Sequence, residues 1–107
     1  MAYDETLADR VRELTGGGLT EKKMFGGLAF LRDGNMAVAI TKDSLMVRLG
    51  EADAEAALAE PGARVMEMGV RRMKGWVLVD PEGIGTDDDL LRWVGRGLDY
   101  AGSLPPK

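Results

Sequence analysis

A chain of 107 residues, 45% hydrophobic and 30% charged, has the make-up of one folded domain and carries no apolar run long enough to span a bilayer. It contains neither cysteine nor histidine, which removes thiolate nucleophiles, disulfides, cysteine and histidine zinc sites, the Ser-His-Asp triad and every side chain that titrates unperturbed near neutrality. Its net charge of −4 sets the overall field against a phosphate backbone, so bulk charge does not favour nucleic acid as a partner.

Catalysis in such a chain would fall to carboxylates, lysine, tyrosine or a bound divalent ion. The expectation is therefore a non-enzyme with no cofactor and no metal. Met1 to Glu5 form neither the basic start nor the apolar core of a signal peptide; with the missing cysteine, this reads as a cytoplasmic protein.

Leu7, Val11 and Leu14 recur at helical spacing behind Asp4, an N-cap residue, and Gly16-Gly17-Gly18 stop the helix. From Lys22 to Gly50 the period changes to two: Leu28 and Phe30, then Met36, Val38 and Ile40, then Leu45, Val47 and Leu49. Three strands fit, joined by tight turns at Asp33-Gly34 and Lys42-Asp43 into an antiparallel meander. The alanine-rich stretch Glu51 to Glu60 predicts a second helix, ended by Pro61-Gly62. Arg64 to Met68 and Trp76 to Asp80 predict two more strands, separated by a basic connection from Gly69 to Gly75. Thr86, with Asp89 three residues on, resembles a capping box. Leu90, Leu91, Val94, Leu98 and Ala101 then trace a third helix, in which Gly95 and Gly97 imply a close approach of something packed against it. The predicted order is α-β-β-β-α-β-β-α, an α+β chain with helices on one face of a five-stranded antiparallel sheet in two layers.

These residues resemble the N-terminal domain of TfoX/Sxy-type proteins, a family that includes regulators of bacterial competence. The likeness rests on Thr20-Glu21-Lys22-Lys23-Met24-Phe25-Gly26-Gly27-Leu28-Ala29-Phe30 and Gly34-Asn35-Met36-Ala37-Val38. It continues through Pro61-Gly62-Ala63, Met73-Lys74-Gly75-Trp76-Val77 and the stretch from Leu98 to Pro105. The resemblance implies a single domain over residues 1–107 with a two-layer, secretion-chaperone-like fold and no established catalytic residues. Longer members carry a second, C-terminal domain, so the chain reads as a stand-alone regulatory or interaction module.

Arg71, Arg72 and Lys74 place three cations within four residues, between glycines and just before Trp76. They form the candidate interaction surface, suited to an anionic or acidic partner. Lys22 and Lys23 extend it if the strand around Leu28 lies beside the strand from Trp76. Asp87-Asp88-Asp89 sit where a helix N-terminus favours acidic residues, and consecutive helical positions point too far apart to share a metal ion. Gly26-Gly27 read as a strand bulge rather than a phosphate loop. The six internal methionines, Met24, Met36, Met46, Met66, Met68 and Met73, read as core gap-fillers.

The predicted strands are apolar on both faces: Phe30, Val38, Ile40 and Val47 on one, Ala29, Leu31, Ala37, Ala39 and Met46 on the other. A two-layer fold leaves the second of these needing cover, which predicts a homodimer built through the sheet. The leading expectation is thus a non-enzymatic regulatory module for protein partners, with no membrane. A nucleic-acid-binding regulator using the local basic patch is the alternative, and a carboxylate- or metal-dependent enzyme a distant third.

Overall fold

The computed structural model describes residues 3–24, 26–68 and 71–106, and at residues 68, 71 and 72 the backbone alone. Its elements in chain order are α1 (Glu5–Leu14), β1 (Thr20–Met24), β2 (Gly27–Arg32), β3 (Asn35–Thr41), β4 (Ser44–Arg48), α2 (Glu51–Ala57), β5 (Ala63–Met68), β6 (Arg71–Val79), a 3-10 turn (Pro81–Gly83) and α3 (Asp87–Gly102). The helix starts follow from local chemistry. The Asp4 carboxylate accepts the backbone N–H groups of Thr6 and Leu7 at 2.9 and 3.1 Å, and Thr86 Oγ1 accepts that of Asp89 at 3.1 Å, so α1 and α3 have donors satisfied that their own backbones cannot reach.

The strands form one six-stranded antiparallel sheet in the order β1-β2-β3-β4-β6-β5. The strand count of five is corrected by β1. Its sequence, Thr20-Glu21-Lys22-Lys23-Met24, is exposed at every position but the half-buried Met24. An edge strand with neither side chain face buried shows no apolar alternation, and its lysines are what an edge uses to resist pairing with another chain. The β1–β2 turn contains Gly26, with Met24 paired to Gly27, so Gly26-Gly27 belong to a hairpin rather than a bulge; Phe25 lies outside the described residues.

A second correction concerns the basic stretch. The backbone of Arg71 to Lys74 is not a loop; it is the first half of β6, paired with β5 through Glu67↔Arg72 and Met68↔Arg71. The register slips between Val65 and Glu67, and this irregularity breaks the alternation that would have announced a long strand.

All three helices supply residues to one core on a single face of the sheet. Leu7 and Val11 of α1, Ala54 and Ala57 of α2, and Leu90, Trp93 and Val94 of α3 meet Phe30, Val38, Ile40, Val47, Val77 and Val79 from the strands. Trp93 is the largest fully buried side chain, although the leucine and valine spacing does not single it out. Leu91, expected in the buried stripe, is 45% exposed. Of the two interior glycines of α3, Gly97 has a neighbour within reach and Gly95 has none: a Cβ on Gly97 would lie 2.6 Å from the carbonyl oxygen of Ala37, whereas one on Gly95 would meet nothing within 4 Å. Ala37 is the residue left without a partner where the β2–β3 register shifts between Phe30↔Val38 and Leu31↔Met36. The helix therefore seats a glycine on the bulge.

Candidate interaction surface

The face of the sheet turned away from the helices carries a second apolar cluster: Ala29, Ala39, Met46 and Met66 are buried, and Met24, Leu31, Met36, Met73, Trp76 and Leu78 are half-buried around them. Register places these residues side by side. Lys22, Ala29, Ala39, Met46, Leu78 and Arg64 form one row across all six strands, and cross-strand neighbours share a face. Arg48 and Trp76 are paired in an adjoining row.

At the β6 end, this cluster continues into a cleft of about 260 Å³ between α2 and the β5–β6 pair. Ala54, Leu58 and Val65 give it apolar walls, Met73 and Trp76 join it to the open face, and Lys74, Glu51 and Glu55 are its charged residues. Gly75 lies in its lining and kinks β6 there with a φ of +84°, which is costly for any side chain. That kink aims the Gly75 carbonyl at the start of α2, where it accepts the N–H groups of Leu49 and Gly50 at 2.8 and 3.1 Å.

Of the residues singled out in the sequence, Lys74 and Trp76 come together here. The side chains of Arg71 and Arg72 lie outside the described residues. Lys22 and Lys23 do not join them: they sit on β1 at one edge, with β2, β3 and β4 between that edge and β6. The expected extension of the basic patch is therefore corrected, because the connection through α2 delivers β6 to β4 and not to β2.

One functional candidate escaped the sequence reading. The Arg48 guanidinium lies 6.0 Å from the ring centre of Trp76 and 5.5 Å from that of Tyr100 on α3, aromatic contacts that hold a cation without neutralising it. Its signal was the continuation of alternation through Leu45-Met46-Val47-Arg48, which places it on the same face as Met46, but an isolated cation at a strand end carries no motif.

Other charges are consumed in structural pairs. Arg64 bonds Asp80 at 2.7 Å, and Ser44 Oγ donates to the same carboxylate. The Arg64 guanidinium, aided by Ser44, holds Asp80 below the usual carboxylate range against the opposing effect of burial. Burial pushes Glu60 up, yet hydrogen bonds from Arg96 and Arg92 outweigh it and leave that carboxyl lowered. Arg12 likewise lowers Glu21. Among the described residues, Lys22, Lys23, Arg48 and Lys74 have no carboxylate within ion-pair distance. The three perturbed carboxylates all shift downward and all bond arginine. They act as fixed charges, away from the neutral range that proton transfer at physiological pH requires. The surface is thus equipped to bind: an apolar floor, an aromatic and unpaired cations.

Among the described residues, no helix is long and apolar enough to cross a membrane. The family model described as the TfoX N-terminal domain matches residues 9–101. No curated protein and no solved structure matches.

Proposed function

The chain belongs to the TfoX N-terminal domain family, and from that premise we propose that it is a regulatory module that works by holding another macromolecule, without making or breaking bonds. In this reading it serves in a bacterial cytoplasm, in the regulation of competence or a related programme. The observation that carries the proposal is the cleft between α2 and β6, where Trp76 and Met73 offer apolar contact beside the unpaired Lys74. Aromatic and methionine side chains with a neighbouring cation are the combination found at the centres of interfaces. Arg71 and Arg72 precede this cleft in the same strand, which favours an acidic partner over a basic one.

The test is affinity capture from the native cytoplasm with the wild type and an Arg71→Glu, Arg72→Glu, Lys74→Glu variant, both checked by circular dichroism for an intact fold. Loss of the captured protein in the folded variant is the expected result, and unchanged capture overturns the assignment. A gel shift with duplex DNA whose log affinity falls by about 0.9 per neutralised phosphate would transfer the same cations to a nucleic-acid role.

A further inference from the structure

We infer that the sheet face opposite the helices is a methionine-lined seat for an amphipathic helix of another protein, one whose apolar stripe is flanked by acidic residues. This deepens the interaction-module reading and rests on it, but assigns a second surface and the class of its partner.

The distribution of side chains separates this face from ordinary core. Five of the chain's seven methionines, Met24, Met36, Met46, Met66 and Met73, belong to the open-face cluster. Among the described residues, the core under the helices contains none; its buried side chains are valine, leucine, isoleucine, alanine, phenylalanine and tryptophan. Gap-filling would have scattered the methionines through both. Confined to the face that no helix covers, their unbranched and polarizable chains supply a surface that can re-pack around an incoming group. The floor beneath them is low. Ala29 and Ala39 are adjacent on β2 and β3 and are covered in the free protein, flanked by Lys22 and Met24 on β1 and Met46 on β4. The alanines are thus shielded by flexible neighbours that can move aside.

Geometry and backbone chemistry select a helix. Strands β1 and β4 are three spacings apart, roughly 14 Å, which fits the 10–12 Å width of a helix with its side chains. An extended segment laid on the face, away from either sheet edge, would leave its own N–H and C=O groups without partners; a helix satisfies them internally. A helix there also completes the three-layer arrangement that a sheet apolar on both sides requires.

Charge selects the partner. Lys22 lies in the same cross-strand row as Ala29 and Ala39, and Arg48 is paired with Trp76 on the same face; neither has a carboxylate partner among the described residues. One carboxylate at the end of this face, Asp80, is already taken by Arg64 and Ser44. The open face is therefore locally cationic on a chain of net charge −4. A second copy would bring its own Lys22 and Arg48, with its Asp80 already bonded, so self-association through this face sets like charges together.

The experiment uses the full chain labelled with 13C at the methionine methyl groups. The probes are two synthetic 18-residue helical peptides with the same leucine stripe, one carrying glutamate and the other lysine at the remaining positions. We expect the acidic peptide to shift the methyl signals of Met24, Met36, Met46 and Met66 at 1:1 stoichiometry. The lysine peptide should bind at least about 10-fold more weakly, and Lys22→Glu, a change at an exposed edge position, should weaken the acidic peptide several-fold, with Lys22→Glu/Arg48→Glu losing more. Lys74→Glu should leave peptide binding intact, so that failure of the cleft assignment and failure of this one are separable. Absence of methyl shifts, or equal binding of the two peptides, overturns the inference. So do methyl shifts that follow the protein's own concentration together with a doubled mass in sedimentation, which would give the face to a second copy.

Discussion

The two interior glycines of α3, Gly95 and Gly97, lie two residues apart, on different sides of the helix, and the structure assigns opposite signs to filling them. In a helix interior, alanine is favoured over glycine by about 0.8–1.0 kcal/mol because the glycine backbone has more freedom to lose. A Cβ on Gly95 meets nothing within 4 Å, so Gly95→Ala should realise most of that gain. A Cβ on Gly97 would lie 2.6 Å from the Ala37 carbonyl oxygen and 2.8 Å from Val38 Cγ1. Ordinary contact begins near 3.4 Å, so α3 must retreat from β3 by roughly 0.6–0.8 Å or β3 must flatten its bulge. The obstructing atom is backbone and cannot rotate aside. Because the clash is with backbone, the upper part of the overpacking range applies, about 2–3 kcal/mol; less the propensity gain, this leaves Gly97→Ala less stable by about 1–2 kcal/mol. With roughly 4–5 °C of melting temperature per kcal/mol at this chain length, Gly95→Ala should melt about 4 °C above the wild type and Gly97→Ala about 4–9 °C below it. Far-ultraviolet circular dichroism follows the helices, and the buried Trp93 gives an independent fluorescence probe. A Gly97→Ala protein as stable as the wild type would refute the seating of α3 on the Ala37 bulge. With it would go the packing that turns one sheet face inward and leaves the other open.

Two further predictions concern the ties that hold the helices and the C-terminal segment in place. Glu21, Glu60 and Asp80 have folded-state pKa values lowered by their arginine partners, so each contributes stability that is complete above its unfolded pKa and is lost as pH falls through the folded one. Urea midpoints should therefore be flat from about pH 7 to 5 and fall below about pH 4, and Glu60→Gln should show a shallower fall. Its cost at neutrality should be no more than about 1 kcal/mol, because the pairs with Arg92 and Arg96 are partly exposed; a midpoint that rises on acidification would contradict the assignment. Asn35, only 2% exposed, donates through Nδ2 to the Pro105 carbonyl at 2.9 Å. Asn35→Ala should cost about 1–2 kcal/mol and expose the chain after Ser103 to carboxypeptidase, whereas unaltered digestion would show that this bond does not tether the segment.

What the sequence disclosed and what it hid divide along physical lines. Elements with a buried face and local punctuation were readable: Asp4 and Thr86 as caps, and the tight turns at Asp33-Gly34 and Lys42-Asp43, where Asp33 and Lys42 adopt positive φ. Two strand segments were not, for opposite reasons. β1 buries almost nothing and so has no period, while the first half of β6 has its period interrupted by a register slip and the Gly75 kink. Trp93 was passed over because a leucine-based stripe can be drawn one position away from the true one. The alternation from Ala29 to Met46 correctly indicated two apolar faces, yet no local pattern states that all three helices choose the same one. The placement of Lys22 and Lys23 far from Lys74 is likewise a property of strand order, which depends on the path through α2 and β5 and has no local signature.

Neighbouring positions in β4 show why burial alone is a poor guide to what each face does. Val47 is fully buried and Met46 is 6% exposed, a difference too small to sort them, yet they point to opposite sides of the sheet. The side under the helices uses β-branched and aromatic groups, whose restricted rotamers fix one packing. The other side uses methionine over alanine, where several packings have similar energy. A sheet built only for stability would gain from rigid side chains on both faces, because each ordered rotamer that fits well narrows the native state. Among the described residues the adaptable set is kept on the open face alone, beside an arginine near Trp76 and Tyr100 and a lysine without a counter-charge, and this costs uniqueness of packing there. That cost is offset only when something else supplies the missing layer.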